Sequence, residues 1–154
     1  MAKPRPVTNV QVHVVADDRN GTLNYRLAPG DPPAGQFVKG DRLIEVPHST
    51  DLFKLHFHMI DRDSSRKLVF NPAMPICAHD GSSCPTSGGI KTKQFEQDGA
   101  VHTKKLTIVN FNSAKGPVTF SLFFNDENSG NPVDPFDPIV DNGGGGGPSI
   151  FLER

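Results

Sequence analysis

Apolar and polar residues alternate one by one along several short runs of this chain. The clearest runs are residues 53–59 (FKLHFHM), 106–111 (LTIVNF) and 118–124 (VTFSLFF). Successive side chains of an extended strand point to opposite faces of a sheet, so a period of two predicts strands with one buried face. No stretch repeats its apolar residues with the spacing of a helix. The pattern therefore predicts an all-β protein.

Turn-forming residues separate these runs, and the 154-residue chain contains 14 Pro and 15 Gly. About eight short strands joined by tight turns are typical of two antiparallel sheets packed face to face. We expect a single-domain antiparallel β-sandwich, immunoglobulin-like or cupredoxin-like, with a jelly roll as the alternative. The sandwich is predicted to span residues 1–142. The glycine-rich tail, residues 143–154, is expected to act as a linker or to dock as an edge strand.

The same pattern predicts how some segments are connected. Residues 115–117 (KGP) should join the strands at 106–111 and 118–124 as a hairpin, whereas residues 71–92 form the longest segment without periodicity. The phenylalanines expected to anchor the core are Phe53, Phe57, Phe111, Phe120 and Phe124.

Composition and charge narrow the range of functions. The formal charge is −1, from 16 Lys and Arg against 17 Asp and Glu, and no basic stripe is visible, which argues against a nucleic-acid partner. Trp is absent and Tyr25 is the single tyrosine, which weakens sugar-stacking and base-stacking functions. No run approaches the roughly 20 apolar residues of a membrane helix, and no signal peptide is visible, so a cytoplasmic location is expected.

Two histidines form the first candidate site. His56 and His58 are two residues apart on one predicted strand, so both side chains lie on the same face. Their imidazoles can bind Zn or Cu if a neighbouring strand supplies another ligand, and His13, His48 and His102 are candidates. The alternative, which we favour, is that His56 and His58 belong to the polar outer face of a strand whose Phe and Met side chains point inward.

Two cysteines in the irregular segment form the second candidate. Cys77 and Cys84 can close a small disulfide loop, worth roughly 2–3 kcal/mol, but only in an oxidising compartment. Free thiols are the favoured state, a local disulfide is next, and a metal site with His79 is last. A blue-copper site is not expected, because Met74 precedes Cys77 instead of following His79.

Carboxylates near the C-terminus form the third candidate. Asp134, Asp137 and Asp141 offer oxygen ligands of the kind that Ca²⁺ prefers, although their spacing matches no EF-hand loop. The favoured alternative is that aspartates next to prolines cap turns by accepting hydrogen bonds from backbone amides.

The C-terminal third of the chain resembles a known group of proteins. Residues 106–112, residues 120–124 and the closing FDPIVDNG, residues 136–143, are similar to small uncharacterised bacterial β-sandwich proteins of the DP-EP family. This resemblance implies a bacterial β-sandwich and carries over no catalytic residue.

Together these features favour a binding protein over an enzyme. No nucleophile-elbow, zincin or phosphate-loop motif occurs in the chain. The leading hypothesis is a non-enzymatic β-sandwich that binds a protein partner or a second copy of itself, through an edge strand or its tail. A metal-binding protein or metalloenzyme that uses His56 and His58 is the first alternative, and a Ca²⁺-binding protein is the second.

Overall fold

The structure is a computed structural model that describes residues 6–19, 22–30, 37–48, 51–62, 66–80 and 88–143. Within these ranges the chain forms β-strands and no helix, which confirms the all-β prediction. The strands are β1 (Val7–Arg19), β2 (Thr22–Pro29), β3 (Leu43–Val46), β4 (Leu52–Asp61), β5 (Leu68–Phe70), β6 (Ile76–Asp80), β7 (Phe95–Gln97), β8 (Lys105–Asn110), β9 (Gly116–Leu122), β10 (Phe124–Asp126), β11 (Asn131–Pro132) and β12 (Ile139–Asn142). No described segment is a helix with the length and apolarity needed to cross a membrane. Cys84 and residues 144–154, which include most of the predicted tail, lie outside the described residues.

Five strands form the large sheet, in the order β2-β1-β4-β8-β7. β4 lies in its centre, and its side chains alternate between buried and half-buried positions, with Phe53, Leu55, Phe57 and Met59 in the core. The alternation that predicted this strand is thus realised as one apolar face and one polar face.

Two smaller sheets complete the sandwich. The four-stranded sheet has the order β3-β12-β9-β6, and the three-stranded sheet has the order β11-β10-β5. Most strand pairs are antiparallel, as predicted, but β1 runs parallel to β4 and β3 runs parallel to β12. The chain leaves the large sheet after β2, forms β3 in the four-stranded sheet, and returns as β4 beside β1. Such a crossover allows a parallel pair that a hairpin cannot form.

The predicted hairpin between the two strongest strands is wrong. β8 pairs with β4 and β7 in the large sheet, whereas β9 pairs with β6 and β12 in the four-stranded sheet. The connection between them turns at Asn112, whose φ of 54° lies in the left-handed region that Asn tolerates better than most residues. Residues 111–115 therefore carry the chain from one sheet to the other.

Aromatic rings hold the sheets together in the core. Phe57 of the large sheet and Phe120 of the four-stranded sheet have ring centroids 5.6 Å apart, and both are fully buried as predicted. Tyr25 of β2 stacks on Phe124 of β10 at 5.5 Å, which ties the three-stranded sheet to the large one. The prediction that Phe111 anchors the core is wrong, because this side chain is only half-buried.

The residues on either side of Phe111 explain its position. Leu106 and Ile108 point into the core, so the period of two also places Asn110 there. Asn112 is likewise buried. Two amides thus occupy the interior where a phenylalanine was expected.

Asn110 belongs to a buried amide network between the sheets. Its side-chain N–H group donates to Asn142 Oδ1 of β12 at 2.7 Å, and the Asn142 side-chain N–H group donates to Asn110 Oδ1 at 3.1 Å. Both residues are fully buried. Because buried polar groups are costly unless hydrogen-bonded, this reciprocal pair aligns the end of β8 with the end of β12.

The network extends to the connection between β8 and β9. Gln94 Oε1 accepts hydrogen bonds from the backbone N–H groups of Ser113 at 2.9 Å and Ala114 at 3.4 Å. The Asn112 side chain donates to the carbonyl oxygen of Pro47 at 2.8 Å, just after β3. These bonds tie the crossover to both sheets.

Two strands of the four-stranded sheet, β6 and β12, lie in segments where the sequence predicted no strand. β6 lies inside residues 71–92, which were expected to be irregular, and its first three residues are all buried, so it shows no alternation. β12 lies in the acidic segment and carries buried Asp141 and Asn142. A pattern of apolar residues could not reveal either strand.

We expect Asn142→Ala to lower the free energy of unfolding by about 1–3 kcal/mol, because the Asn110 side-chain N–H group would remain buried without its acceptor. Urea denaturation measures the loss. Asn131→Ala, at an exposed position on β11, is the matched control and should change stability by less than about 0.5 kcal/mol. Equal losses for the two variants would contradict a structural role for the amide pair.

Candidate functional site

Both predicted histidines lie on the outer face of the large sheet. We call this surface the histidine face and define it by outward side chains of β1, β4 and β8. Its members are Asn9, Gln11, His13, Lys54, His56, His58, Lys105 and Thr107. All except the exposed Asn9 are half-buried.

The strand register arranges these side chains in rows across the sheet. His13, His58 and Lys105 are direct neighbours in one row. Gln11, His56 and Thr107 form the next row. Because Val12 and Phe57 must both point into the core, the register that buries them also brings these polar residues together.

His56 is held by two hydrogen bonds. Its Nε2 lies 2.9 Å from Asn9 Oδ1, and its Nδ1 lies 3.2 Å from Thr107 Oγ1. In the neutral tautomer that suits both partners, the Nε2–H group donates to Asn9 and the Thr107 hydroxyl donates to Nδ1. Both ring nitrogens of His56 are therefore occupied by polar neighbours.

His58 contacts a third histidine. Its Nε2–H group donates to Gln11 Oε1 at 2.7 Å. The rings of His58 and His13 meet edge to face, with centroids 6.0 Å apart. Of the three further ligands considered from the sequence, His13 is thus the one that lies next to the predicted pair.

The other two candidate ligands lie elsewhere. His48 follows β3, and its Nδ1 is 3.3 Å from Asn112 Oδ1 in the amide network. His102 is exposed in the turn before β8. Among the described residues, no three side chains of His, Cys, Asp or Glu are grouped so as to hold a metal ion. Metal binding by His56 and His58 stays a prediction.

Burial and positive neighbours lower the pKa of His56. Desolvation is the largest cause, followed by the charges of Lys105, His58 and Lys54, while Asp98 opposes the shift. Asp98 also forms an ion pair with Lys54 at 3.0 Å. His56 is therefore neutral at pH 7, in surroundings that disfavour a further positive charge.

Cys77 lies on β6 and not in an irregular loop, which corrects the sequence-based prediction. Its side chain is fully buried. Its Sγ is 3.5 Å from Met74 Sδ and accepts a hydrogen bond from the Gly89 backbone N–H group at 3.3 Å. Since Cys84 lies outside the described residues, a disulfide between the two cysteines stays a prediction.

The three aspartates considered for Ca²⁺ have different neighbours. The carbonyl oxygen of Asp134 accepts a hydrogen bond from the Tyr25 hydroxyl at 2.6 Å, and Asp137 Oδ1 accepts one from the Ser121 hydroxyl at 2.6 Å. Asp141 lies on β12, opposite Glu45 of β3. The described geometry does not gather the three carboxylates around one point.

Clefts formed by described residues also lie outside the histidine face. A cleft of about 360 Å³ is lined by Asp17, Asn24, Tyr25, Arg26 and Asp41 beside β2. Another, of about 320 Å³, lies at the end of β9 near the crossover and is lined by residues that include Asp80, Gln94 and Lys115. Sequence patterns did not indicate either cleft, because they do not show which strands and loops lie side by side.

Comparisons with known proteins find no protein-family model that matches the chain and no curated protein that is significantly similar to it. The resemblance of the C-terminal third to the DP-EP family stays a prediction.

The pKa of Asp141 provides a test of its buried position in the four-stranded sheet, beside Glu45. Burial raises this pKa first, and the neighbouring Glu45 raises it further. Between pH 3.8 and the raised pKa, the folded protein binds more protons than the unfolded chain does, so stability falls as the pH rises through this window. Above the raised pKa, Asp141 is charged in the folded protein, and the full cost of burying this charge lowers the free energy of unfolding.

We therefore expect Asp141→Asn to raise the melting temperature at pH 7 and to reduce the loss of stability between pH 4 and pH 7. Thermal unfolding at several pH values measures both effects. Asp134→Asn, the same substitution at an exposed position, is the control and should leave the melting temperature at pH 7 close to that of the wild type. A lower melting temperature of Asp141→Asn than of the wild type at pH 7 would contradict the conclusion that burial and Glu45 destabilise the charged carboxylate of Asp141.

Proposed function

We propose that this protein is a non-enzymatic binding module whose histidine face binds an acidic segment of a protein partner. The observation that carries this proposal is the row of His13, His58 and Lys105 across three adjacent strands. The Lys105 ammonium group is thus presented side by side with two imidazole rings.

The hydrogen-bonding capacity of the surface supports an anionic partner. Lys105 and Lys54 are cations, and a carboxylate is the natural acceptor for ammonium and imidazole N–H groups. Asn9, opposite Lys54, and Gln11, opposite His56, are additional polar groups on this face. Complementary charge mainly increases association rate and selectivity, which suits a recognition surface.

The acidic groups nearby do not occupy the centre of the surface. Glu96 lies on the edge strand β7, opposite Val109 of β8, and Asp98 pairs with Lys54 from beyond the end of β7. The row that contains Lys105 is further along the sheet. A partner carboxylate can therefore approach this row without passing over either side chain.

The dimensions of the surface favour a peptide segment. Three neighbouring strands span about 10 Å, because adjacent strands lie about 4.8 Å apart. This width accommodates an extended segment with several carboxylates. The side chains are also partly ordered beforehand, since His56, His58 and Lys54 already have partners on the sheet, and this lowers the entropy lost on binding.

A fluorescent decapeptide of alternating Glu and Ser tests the proposal by fluorescence anisotropy at low salt, in buffer that contains EDTA. Lys105→Glu is expected to weaken binding by about tenfold or more, because it reverses the charge in the row of His13, His58 and Lys105. Added salt should weaken binding to the wild type.

The control variant is Lys39→Glu, which makes the same charge change at an exposed site before β3, in the segment that borders the four-stranded sheet. It should bind like the wild type, and a decapeptide of alternating Lys and Ser should bind more weakly than the acidic one. Equal affinity of Lys105→Glu and Lys39→Glu, or no binding of the acidic peptide at all, would overturn the proposal.

A further inference from the structure

Strand β12 ends in an Asn-Gly pair, Asn142 followed by Gly143. In this dipeptide the backbone nitrogen of the glycine can attack the side-chain amide carbon of the asparagine and close a cyclic imide. Glycine favours the attack because it has no side chain to hinder the approach or restrict the backbone. The buried amide network therefore contains a residue pair that is prone to deamidate once it is exposed.

The fold holds both reacting groups in place. The Asn142 side-chain N–H group donates to Asn110 Oδ1 at 3.1 Å, and Asn142 Oδ1 accepts a hydrogen bond from Asn110 at 2.7 Å. The attacking group is occupied as well, because the Gly143 backbone N–H group donates to the carbonyl oxygen of Val46 at 2.8 Å. Asn142 is also fully buried, so the water that would open the imide has no access to it.

The fold needs both residues of this pair, for different reasons. Asn142 completes the reciprocal hydrogen bonds with Asn110. Gly143 has a φ of 91°, in the left-handed region that glycine favours, and a Cβ atom at this position would lie 2.8 Å from the Cβ atom of His48. A bulkier residue that would slow the attack is therefore not accommodated, and the reactive pair is a consequence of the stable fold.

We propose that Asn142 is a self-modification site that reacts when the end of β12 opens. After opening, hydroxide removes the proton of the Gly143 backbone nitrogen, which bonds to Asn142 Cγ. The bond from Cγ to Nδ2 breaks, and ammonia leaves. Water then adds to either carbonyl carbon of the imide and opens it, so that residue 142 becomes aspartate or isoaspartate, with no change of oxidation state.

The product does not fit the site that Asn142 occupies. A carboxylate has no N–H group to donate, so an oxygen atom would face Asn110 Oδ1 and Gln94 Oε1, which lie 3.1 and 3.5 Å from the Asn142 nitrogen. A buried charge without a donor is strongly unfavourable. Isoaspartate also lengthens the main chain at the end of β12. Opening is thus reversible before the reaction and irreversible after it.

Peptide mass spectrometry of the full chain, incubated in mildly alkaline buffer with and without guanidinium chloride, measures this conversion. In the denatured chain, Asn142 should convert at a rate similar to that of Asn20, which also precedes a glycine and is the internal reference. In the folded protein, conversion of Asn142 should be slower by about a hundredfold or more, because only the open fraction reacts. Equal rates at Asn142 in the folded and denatured chains, or no conversion in denaturant, would overturn the proposal.

Asn110→Ala tests the opening step, because it removes the side chain that holds the Asn142 amide. It should raise the rate at Asn142 in the folded protein by about tenfold or more and leave the rate in denaturant unchanged. Asn131→Ala, at an exposed position on β11, is the matched control and should stay within about twofold of the wild type. Equal rates at Asn142 in the two folded variants would contradict the opening step.

If Asn110→Ala does not fold, guanidinium chloride below the unfolding transition of the wild type replaces it, and the rate at Asn142 should rise with each addition. A rate that stays constant up to the transition would contradict local opening.

Asn142→Asp reproduces the aspartate product and tests its effect on refolding. It should unfold at a lower urea concentration than the wild type, because the carboxylate is buried without a donor. Asn131→Asp, the same substitution at an exposed position, is the control and should unfold close to the wild type. Equal stability of Asn142→Asp and the wild type would overturn the conclusion that the modification is irreversible for the fold. Neither site overlaps the histidine face, so these outcomes are independent of the proposed function.

Discussion

The reciprocal hydrogen bonds between Asn110 and Asn142 are the constraint on which the rest of the sandwich depends. The two amides come from different sheets and are fully buried, so neither can replace its partner with water. Non-directional contacts between Phe57 and Phe120 hold the sheets together, but such contacts tolerate sliding. The amide pair is directional, and it therefore specifies how the two sheets are aligned at this end of the molecule.

The same network explains how the strongest strands come to lie in different sheets. Gln94 accepts hydrogen bonds from the backbone N–H groups of Ser113 and Ala114, and Asn112 adopts a left-handed conformation just before them. The chain that leaves β8 is thereby directed across the end of the sandwich. As a result, Phe120 of β9 packs over Phe57 of β4, and β9 does not extend the large sheet.

The histidine face is a consequence of this packing. A slip of one residue between β1 and β4 would turn Val12 outward, which the buried core does not allow. The apolar residues on the inner face therefore decide which polar residues meet on the outer face. His13 lies beside His58 because valines and phenylalanines on the other side of the same strands require that register.

Local patterns determined a large part of this structure. The alternation along residues 53–59 correctly predicted which side chains of β4 are buried, since the direction of a side chain depends only on its position in the strand. The same rule placed His56 and His58 together on the outer face. It failed for β6, where consecutive residues are buried on both faces, and for β12, where Asp141 and Asn142 occupy buried positions.

The tertiary structure alone decided which strands are neighbours. Alternation assigns side chains to faces but carries no information about the strand on either side, so the parallel pairs and the crossover after β8 could not be predicted. Phe111 was expected in the core because it is apolar, yet Asn110 and Asn112 are buried there, since distant residues satisfy their amides. Side-chain direction is a local property of the chain, whereas pairing depends on contacts between residues far apart in sequence.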